Sequence, residues 1–293
     1  MRRTLTLLCT ATATATAIMI ATALPASAAH EDLDVTGLTQ NGRLVTFPAS
    51  DPGDVSNPVK VAGIADGYEL AAIDYRPSTD ALYGVAGNGT SAQLYRIGDG
   101  GAATPVGVPF PLAGDVSIDF NPTVDRLRVV SNDGTNLRLN PDTGGVTVDS
   151  RLAYVDANAG TAPSVVAIAY TNNDCQGSVT APCTVPGTAI PNTMLFDLDR
   201  ALGALSQQTN PNLGQLTERF DIAPRFASKT GYDIYNEGST NVGIVSIFSR
   251  GRTTLYTLNA STGVLTLAGT STNNSSTVGS TPAVIDVAVP TAQ

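Results

Sequence analysis

Four aspartates recur along the chain in one local setting. Asp74 stands in Ile73-Asp74-Tyr75-Arg76-Pro77 and Asp119 in Ile118-Asp119-Phe120-Asn121-Pro122. Asp221 stands in Phe220-Asp221-Ile222-Ala223-Pro224, and Asp286 in Ile285-Asp286-Val287-Ala288-Val289-Pro290. Each is flanked by apolar residues, so in an extended strand the carboxylate and its neighbours point to opposite faces. Carboxylates gathered from several strands could hold a hard cation such as Ca²⁺, or supply the acid and base of glycoside hydrolysis. Near-equivalent copies fit a structural rule better than a catalytic pair, whose two members need unlike surroundings. The favoured reading is that each aspartate accepts backbone hydrogen bonds within or between repeated units.

A second constellation is basic. Arg126 and Arg128 alternate with Leu127 and Val129, which puts both on one face of a strand, and the next strand offers Arg138 between Asn136 and Asn140. Like charges on paired strands repel unless carboxylates or a bound anion intervene. Asp119 and Asp125 are the nearby counter-charges, so an internal ion-pair network is the favoured reading; a small anionic or carboxylate-bearing ligand is the alternative.

Other chemistries find little support. His30 is the only histidine, which argues against a Ser-His-Asp triad or a multi-histidine zinc site. No P-loop or dinucleotide fingerprint is present. Asp156-Ala157-Asn158-Ala159-Gly160 begins like a calcium loop but lacks the distal bidentate acid, so it reads as a turn. The chain has no Trp, and Tyr83, Tyr95 and Tyr256 sit in Leu-Tyr pairs that read as buried, so a sugar-stacking platform is weakly signalled.

The elements that must position these residues are strands. Helix-period apolar patterns are almost absent, and short β-forming runs are punctuated by Gly, Asn-Pro and Thr-Gly. Residues 71–88 align with 116–133, and each is followed by a matching downstream piece: 93–107, 136–149 and, further on, 254–269. Asn140-Pro141-Asp142-Thr143-Gly144 and Asn259-Ala260-Ser261-Thr262-Gly263 supply tight turns within these pieces. A repeat of about 45 residues with four antiparallel strands is the signature of a propeller blade.

The sequence thus predicts an all-β propeller of about five four-stranded blades, near 70–109, 116–149, 164–217 and 218–269, with a composite fifth. In that blade 283–289 supplies the innermost strand and 34–64 the other three, so pairing of the N- and C-terminal strands closes the ring and removes two exposed edges. A sixth blade hidden in the irregular 164–217 region stays open, and a β-sandwich is the alternative architecture. In that region Ala167-Ile168-Ala169 lacks the aspartate altogether.

Residues 1–28 read as a secretory signal: Arg2 and Arg3, an apolar stretch to Leu24, then Pro25-Ala26-Ser27-Ala28-Ala29. Cleavage after Ala28 or Ala29 would leave residues 29–293 as one propeller domain outside the cell, with no membrane span in the mature chain. It would also shift the formal charge from −9 to −11, since two arginines and no acids are lost. An acidic chain makes nucleic acid an unsuitable partner, and 42% hydrophobic against 14% charged residues favours a packed core. Cys175 and Cys183, eight positions apart in an exported chain, are expected to form a loop disulfide.

The strings Asp119-Phe120-Asn121-Pro122-Thr123-Val124-Asp125-Arg126-Leu127-Arg128 and Asn136-Leu137-Arg138-Leu139-Asn140-Pro141-Asp142 resemble the bacterial family known as domain of unknown function 4394. The likeness runs on through residues 37–47, 152–173 and 254–269. It implies exported or surface propeller-like proteins without an established activity. The expectation is a monomeric, secreted, non-enzymatic module binding a small molecule, glycan or protein, without a resident cofactor. The alternative is an extracellular hydrolase or lyase that uses the repeated aspartates, with Ca²⁺ as its candidate cofactor.

Overall fold

Strands form where β-branched and aromatic residues dominate, and they stop where an Asx side chain and a glycine fold the backbone back. At one such turn Asn140 Oδ1 accepts the N–H groups of Asp142 (2.9 Å) and Thr143 (3.2 Å), and Gly144 follows at φ 70°. Asn259 repeats the device with Ser261 (2.9 Å) and Thr262 (3.1 Å), ahead of Gly263 at φ 71°.

The computed structural model describes residues 33–173, 193–237, 240–269, 276–279 and 282–291. Residues 1–28, which the sequence reads as a secretory signal, His30, Cys175 and Cys183 lie outside the described residues. In chain order the strands are β1 (Asp34–Thr39), β2 (Arg43–Pro48), β3 (Val59–Lys60), β4 (Glu69–Arg76), β5 (Ala81–Gly87), β6 (Ser91–Ile97), β7 (Ala103–Pro111), β8 (Val116–Asn121), β9 (Arg126–Ser131), β10 (Asn136–Leu139) and β11 (Val146–Val148). There follow β12 (Ala153–Tyr154), β13 (Val165–Tyr170), β14 (Leu195–Asp199), β15 (Ala204–Asn210), β16 (Gln215–Asp221), β17 (Thr230–Glu237), β18 (Thr240–Ser249), β19 (Arg252–Asn259), β20 (Val264–Leu267), β21 (Thr277–Val278) and β22 (Val284–Ala288).

They make five sheets. Blade one is β4-β5-β6-β7, blade two β8-β9-β10-β11, blade three β13-β14-β15-β16, blade four β17-β18-β19-β20 and blade five β22-β1-β2-β3. Short β12 adds a parallel edge to β16, and β21 pairs with β19. The innermost strands pack in a closed cycle: β4 on β8, β8 on β13, β13 on β17, β17 on β22 and β22 on β4. The expected architecture is therefore present, with five blades and none hidden in the irregular region. One boundary differs: blade four starts at Thr230 rather than at residue 218, because residues 215–221 finish blade three as β16.

Each blade junction has its own hydrophobic core. Tyr83, Leu94, Phe120 and Leu127 fill the seam between blades one and two, and Val130, Ile168, Tyr170 and Leu195 the next. Phe196, Leu198, Tyr232 and Ile234 lie between blades three and four, Val35, Phe47, Ile244 and Val287 between four and five, and Leu38, Ile73, Tyr95 and Ala288 between five and one. A single four-stranded sheet exposes two apolar faces, so the ring is the arrangement in which every face is covered.

The chain's two ends meet in blade five, where Thr36 pairs with Ala288, Gly37 with Val287 and Leu38 with Asp286. Next to that seam a Cβ on Gly231 would lie 2.6 Å from both Asp286 Cα and Val287 N. Glycine at that position allows β17 and β22 to approach so closely.

Candidate functional site

Period-two alternation aims the inner-strand aspartates. In β8, Ile118 and Phe120 face blade one, so Asp119 faces blade three, where its Oδ1 accepts the N–H of Tyr170 at 3.0 Å. Asp74 in β4 reaches forward in the same sense, its Oδ2 accepting the N–H of Phe120 at 2.7 Å. Asp286 in β22 accepts from Ile73 at 2.9 Å. The fourth member is Asp233 in β17, whose Oδ2 accepts from Val289 at 2.6 Å and whose Oδ1 takes Asn173 Nδ2 at 3.3 Å. Every one of these carboxylates stitches its own inner strand to the following blade.

Asp221 does not belong to this ring. It ends β16, three strands out from the inner strand β13 of blade three, and it is exposed. The Phe-Asp-Ile-x-Pro string there copies the motif without its place in the fold. Asp233 takes the role, and its signal in the sequence is the Tyr232-Asp233-Ile234 alternation, which no proline follows. The inner strand of blade three, as expected, offers no aspartate: Ala169 lies between Ile168 and Tyr170 at the corresponding position. There Asn173 Nδ2 bonds the carbonyl of Ile234 at 2.9 Å instead.

Carboxylate oxygens of Asp74, Asp119 and Asp233 lie within 4.8 Å of one another. These residues come from blades one, two and four, and the place where those blades can meet is the axis. All four ring aspartates are buried. Burial raises the carboxyl of Asp74 well above the usual range, helped by Asp233, against the pull of backbone N–H groups of Phe120 and Tyr75. Asp119 is raised by burial and then by Asp74 and Asp233. Burial pushes Asp233 up to about 7 and also raises Asp286. Like charges so close and so buried cannot all ionise at neutral pH, so protons are held among them. The three oxygens have the spacing to meet a hard cation, while the backbone donors around them already satisfy the carboxylates in part.

The arginines share the face of blade two that meets blade three, on the strands outside β8. Arg128 lies directly opposite both Asp119 in β8 and Arg138 in β10. Asp119 turns to the axis, so the counter-charge is Asp149, just past the end of β11. Asp149 Oδ2 accepts from Arg128 Nη1 at 2.7 Å and from Arg138 Nε at 2.7 Å, and its Oδ1 accepts from Arg138 Nη2 at 2.9 Å. Arg128 is buried and also bonds Asn136 Oδ1 (2.7 Å), Asn212 Oδ1 (2.9 Å) and the Tyr170 hydroxyl (3.3 Å). Asp125 is not part of this cluster. It pairs with Arg76 of blade one, whose Nε is 2.8 Å from its Oδ1, and Arg76 also reaches Asp142 at 2.7 Å. The ion-pair network is thus real, but its carboxylate is Asp149, a residue the strand pattern did not single out.

Arg126, Arg128 and Arg138 line one cavity of about 520 Å³ with Asn121, Tyr170 and Asn212, between blades two and three. It opens at the end of the ring where β8 and β13 finish. At the other end a cavity of about 320 Å³ is lined by Glu69, Asp115 and Lys229, a mixed set of charges. Asp156, in the calcium-loop-like segment, caps a turn: its Oδ1 accepts the N–H of Asn158 at 2.9 Å and its Oδ2 that of Glu218 at 2.6 Å.

By fold and site the protein is a five-bladed β-propeller, stitched at its axis by aspartates and carrying an arginine-lined cleft at one end. Its family is the domain of unknown function DUF4394, to which the chain belongs: that family's model matches residues 43–281. No curated protein matches the chain. Among solved structures it is similar to a structural-genomics protein of unknown function from Bacteroides thetaiotaomicron VPI-5482, at 15% identity and a TM-score of 0.49, covering 80% of this chain and 56% of that one. A protein from Lactobacillus plantarum aligns at 14% identity and a TM-score of 0.44, covering 86% and 70%. An auxiliary nutrient binding protein from B. thetaiotaomicron aligns at 12% identity and a TM-score of 0.40, covering 72% and 55%. Among the described residues no helix is long and apolar enough to cross a membrane.

Proposed function

We propose that this chain is an exported, non-enzymatic binding module that takes a small ligand in the cleft between blades two and three. The supporting observation is the cleft itself: about 520 Å³ of space lined mainly by polar side chains, on a floor fixed by the buried Arg128 network. Concave sites of this size with a few fixed polar groups are where propellers and other rigid scaffolds hold small molecules. The axial aspartates are the other candidate. Their backbone hydrogen bonds and burial fit a scaffold role better than that of an acid and base awaiting a substrate.

The export reading rests on the signal-like residues 1–28, and expression in a bacterial host with N-terminal sequencing of the secreted product tests it, with Ala29 or His30 expected first. For binding, the purified protein is screened against small molecules and glycans by thermal shift. A hit lost in Asn210→Trp, which fills the cleft rim, supports the reading. Turnover of a glycoside that disappears in a folded Asp119→Asn variant would replace it with the hydrolase.

A further inference from the structure

We propose that the ligand of this cleft is a small dianion of the size of a sugar phosphate or sugar diacid, its oxyanion groups held by Arg126 and Arg138; this rests on the cleft being the ligand site. Charge is the first argument. Three guanidinium groups face the cleft, and Asp149 is the one carboxylate that bonds them. Asp125, next to Arg126 in the chain, is bound to Arg76 instead. No acidic residue lines the cleft among the described residues. Asp149 thus answers two of the three guanidinium groups by contact, and Arg126 makes no ion pair of its own among the described residues, since Asp142, whose charge it feels, is paired with Arg76; the cleft stays net positive in a chain whose formal charge is −9. A concave, low-dielectric wall concentrates that positive field on a ligand of opposite sign.

Donor geometry is the second. Arg128 spends its Nε and both Nη groups on Tyr170, Asn136, Asp149, Pro211 and Asn212, which makes it a fixed floor. Arg126 Nε and Nη2 and Arg138 Nη1 have no hydrogen-bond partner among the described residues, because Arg126 bonds only through Nη1 to its own turn and Arg138 gives Nε and Nη2 to Asp149. Both side chains are half-buried, at the rim. Arg126 lies two residues from Arg128 on β9, and Arg138 lies opposite Arg128 on β10. They are therefore diagonal neighbours on one sheet face, roughly 7–8 Å apart, and such long side chains can converge on paired oxygens. Asn212 commits its Oδ1 to Arg128 and keeps its amide donor. A site rich in donors and poor in acceptors selects an acceptor-rich ligand, and 520 Å³ exceeds what a bare phosphate would fill.

One carbon skeleton at three charge states tests this. Titration calorimetry of the full secreted chain with glucose, glucuronate, glucarate and glucose 6-phosphate is expected to show the two dianions bound about tenfold or more tighter than glucose, with the gain shrinking as salt rises. The order of glucarate and glucose 6-phosphate tells carboxylate from phosphate recognition. Arg126→Gln and Arg138→Gln should each remove most of the gain; Arg126→Gln should keep the parent melting temperature, and Arg252→Gln on blade four should change nothing. Glucose bound as tightly as the dianions and lost in Asn210→Trp would keep the cleft as the ligand site and overturn the dianion. A charge-dependent gain that survives both arginine substitutions would overturn it too, and no binding by any of the four would overturn both readings.

Discussion

Tyr170 and Asp119 belong to neighbouring blades, and the backbone N–H of the tyrosine donates to the aspartate's Oδ1 across 3.0 Å. The hydroxyl of the same tyrosine meets Arg128 Nε at 3.3 Å. One buried residue thus joins the axial carboxylates to the arginine cleft, and the two constellations that looked separate in the sequence share a wall.

If the ring aspartates are inter-blade stitches, removing one leaves a buried N–H on the next blade without its acceptor. Alanine at Asp74, Asp119, Asp233 or Asp286 should each cost about 1–3 kcal/mol, read as a lower midpoint in urea. Asparagine at the same positions should cost less, since it keeps an acceptor oxygen. Asp221→Ala, on the exposed end of β16, should stay within about 0.5 kcal/mol of the parent. Equal losses at Asp221 and Asp233 would refute the assignment.

Arg128 is the keystone of the cleft floor. Replacing it with Gln breaks its bonds to Asn136, Asn212 and Tyr170 while Asp149 keeps Arg138, and should destabilise by about 1–3 kcal/mol. Asp149→Asn should cost more, about 3–5 kcal/mol, because it leaves the buried Arg128 guanidinium with only the neutral partners Asn136, Asn212 and Tyr170. Equilibrium unfolding of the two variants measures the difference.

The axial carboxyls set an unusual pH dependence. Asp74, Asp119 and Asp286 are raised and Asp233 is raised to about 7, whereas in the unfolded chain each titrates near 4. Between those values the folded state binds more protons, so stability is full below about pH 4 as far as this ring is concerned and declines as pH rises toward 7. The melting temperature should fall by several degrees from pH 5 to pH 8. Asp233→Asn should flatten that slope. Exposed Asp133 and Asp142 and half-buried Asp156, whose carboxyls are lowered, act in the opposite sense and only at more acidic pH.

Calcium gives a separate check on the axis. A scaffold role predicts that melting in about 1 mM calcium and in excess chelator will agree within roughly 1 °C, because an ion bound only to the folded state must raise stability by mass action. A chelator-sensitive melting point would make the three carboxylates a metal centre.

Much of this fold was legible because each blade repeats one strand-turn-strand sentence, and the Asx turns at Asn140 and Asn259 mark its punctuation. The latch of residues 34–39 on 284–288 was readable too, since the Ile285-Asp286-Val287 copy had no partner strands after it. What misled was a string taken for a place. Phe220-Asp221-Ile222 matches the motif by letters, while Asp233 matches it by alternation. Pairing across a junction was hidden for a different reason. Arg76 and Asp125 are 49 residues apart, and nothing local says that the carboxylate beside Arg126 is claimed by another blade.

A blade made from both chain ends also fixes the order in which the molecule can be completed. A chain emerging from its N-terminus can lay down β4 to β20 as local hairpins, yet β1 waits with an unpaired edge until residues 284–288 arrive, some 250 positions later. Such distant contacts carry the largest closure entropy and form late. Until they do, the nascent ring is an open arc with the edge of β1 free, and that interval is when it is most exposed to pairing with another copy of itself.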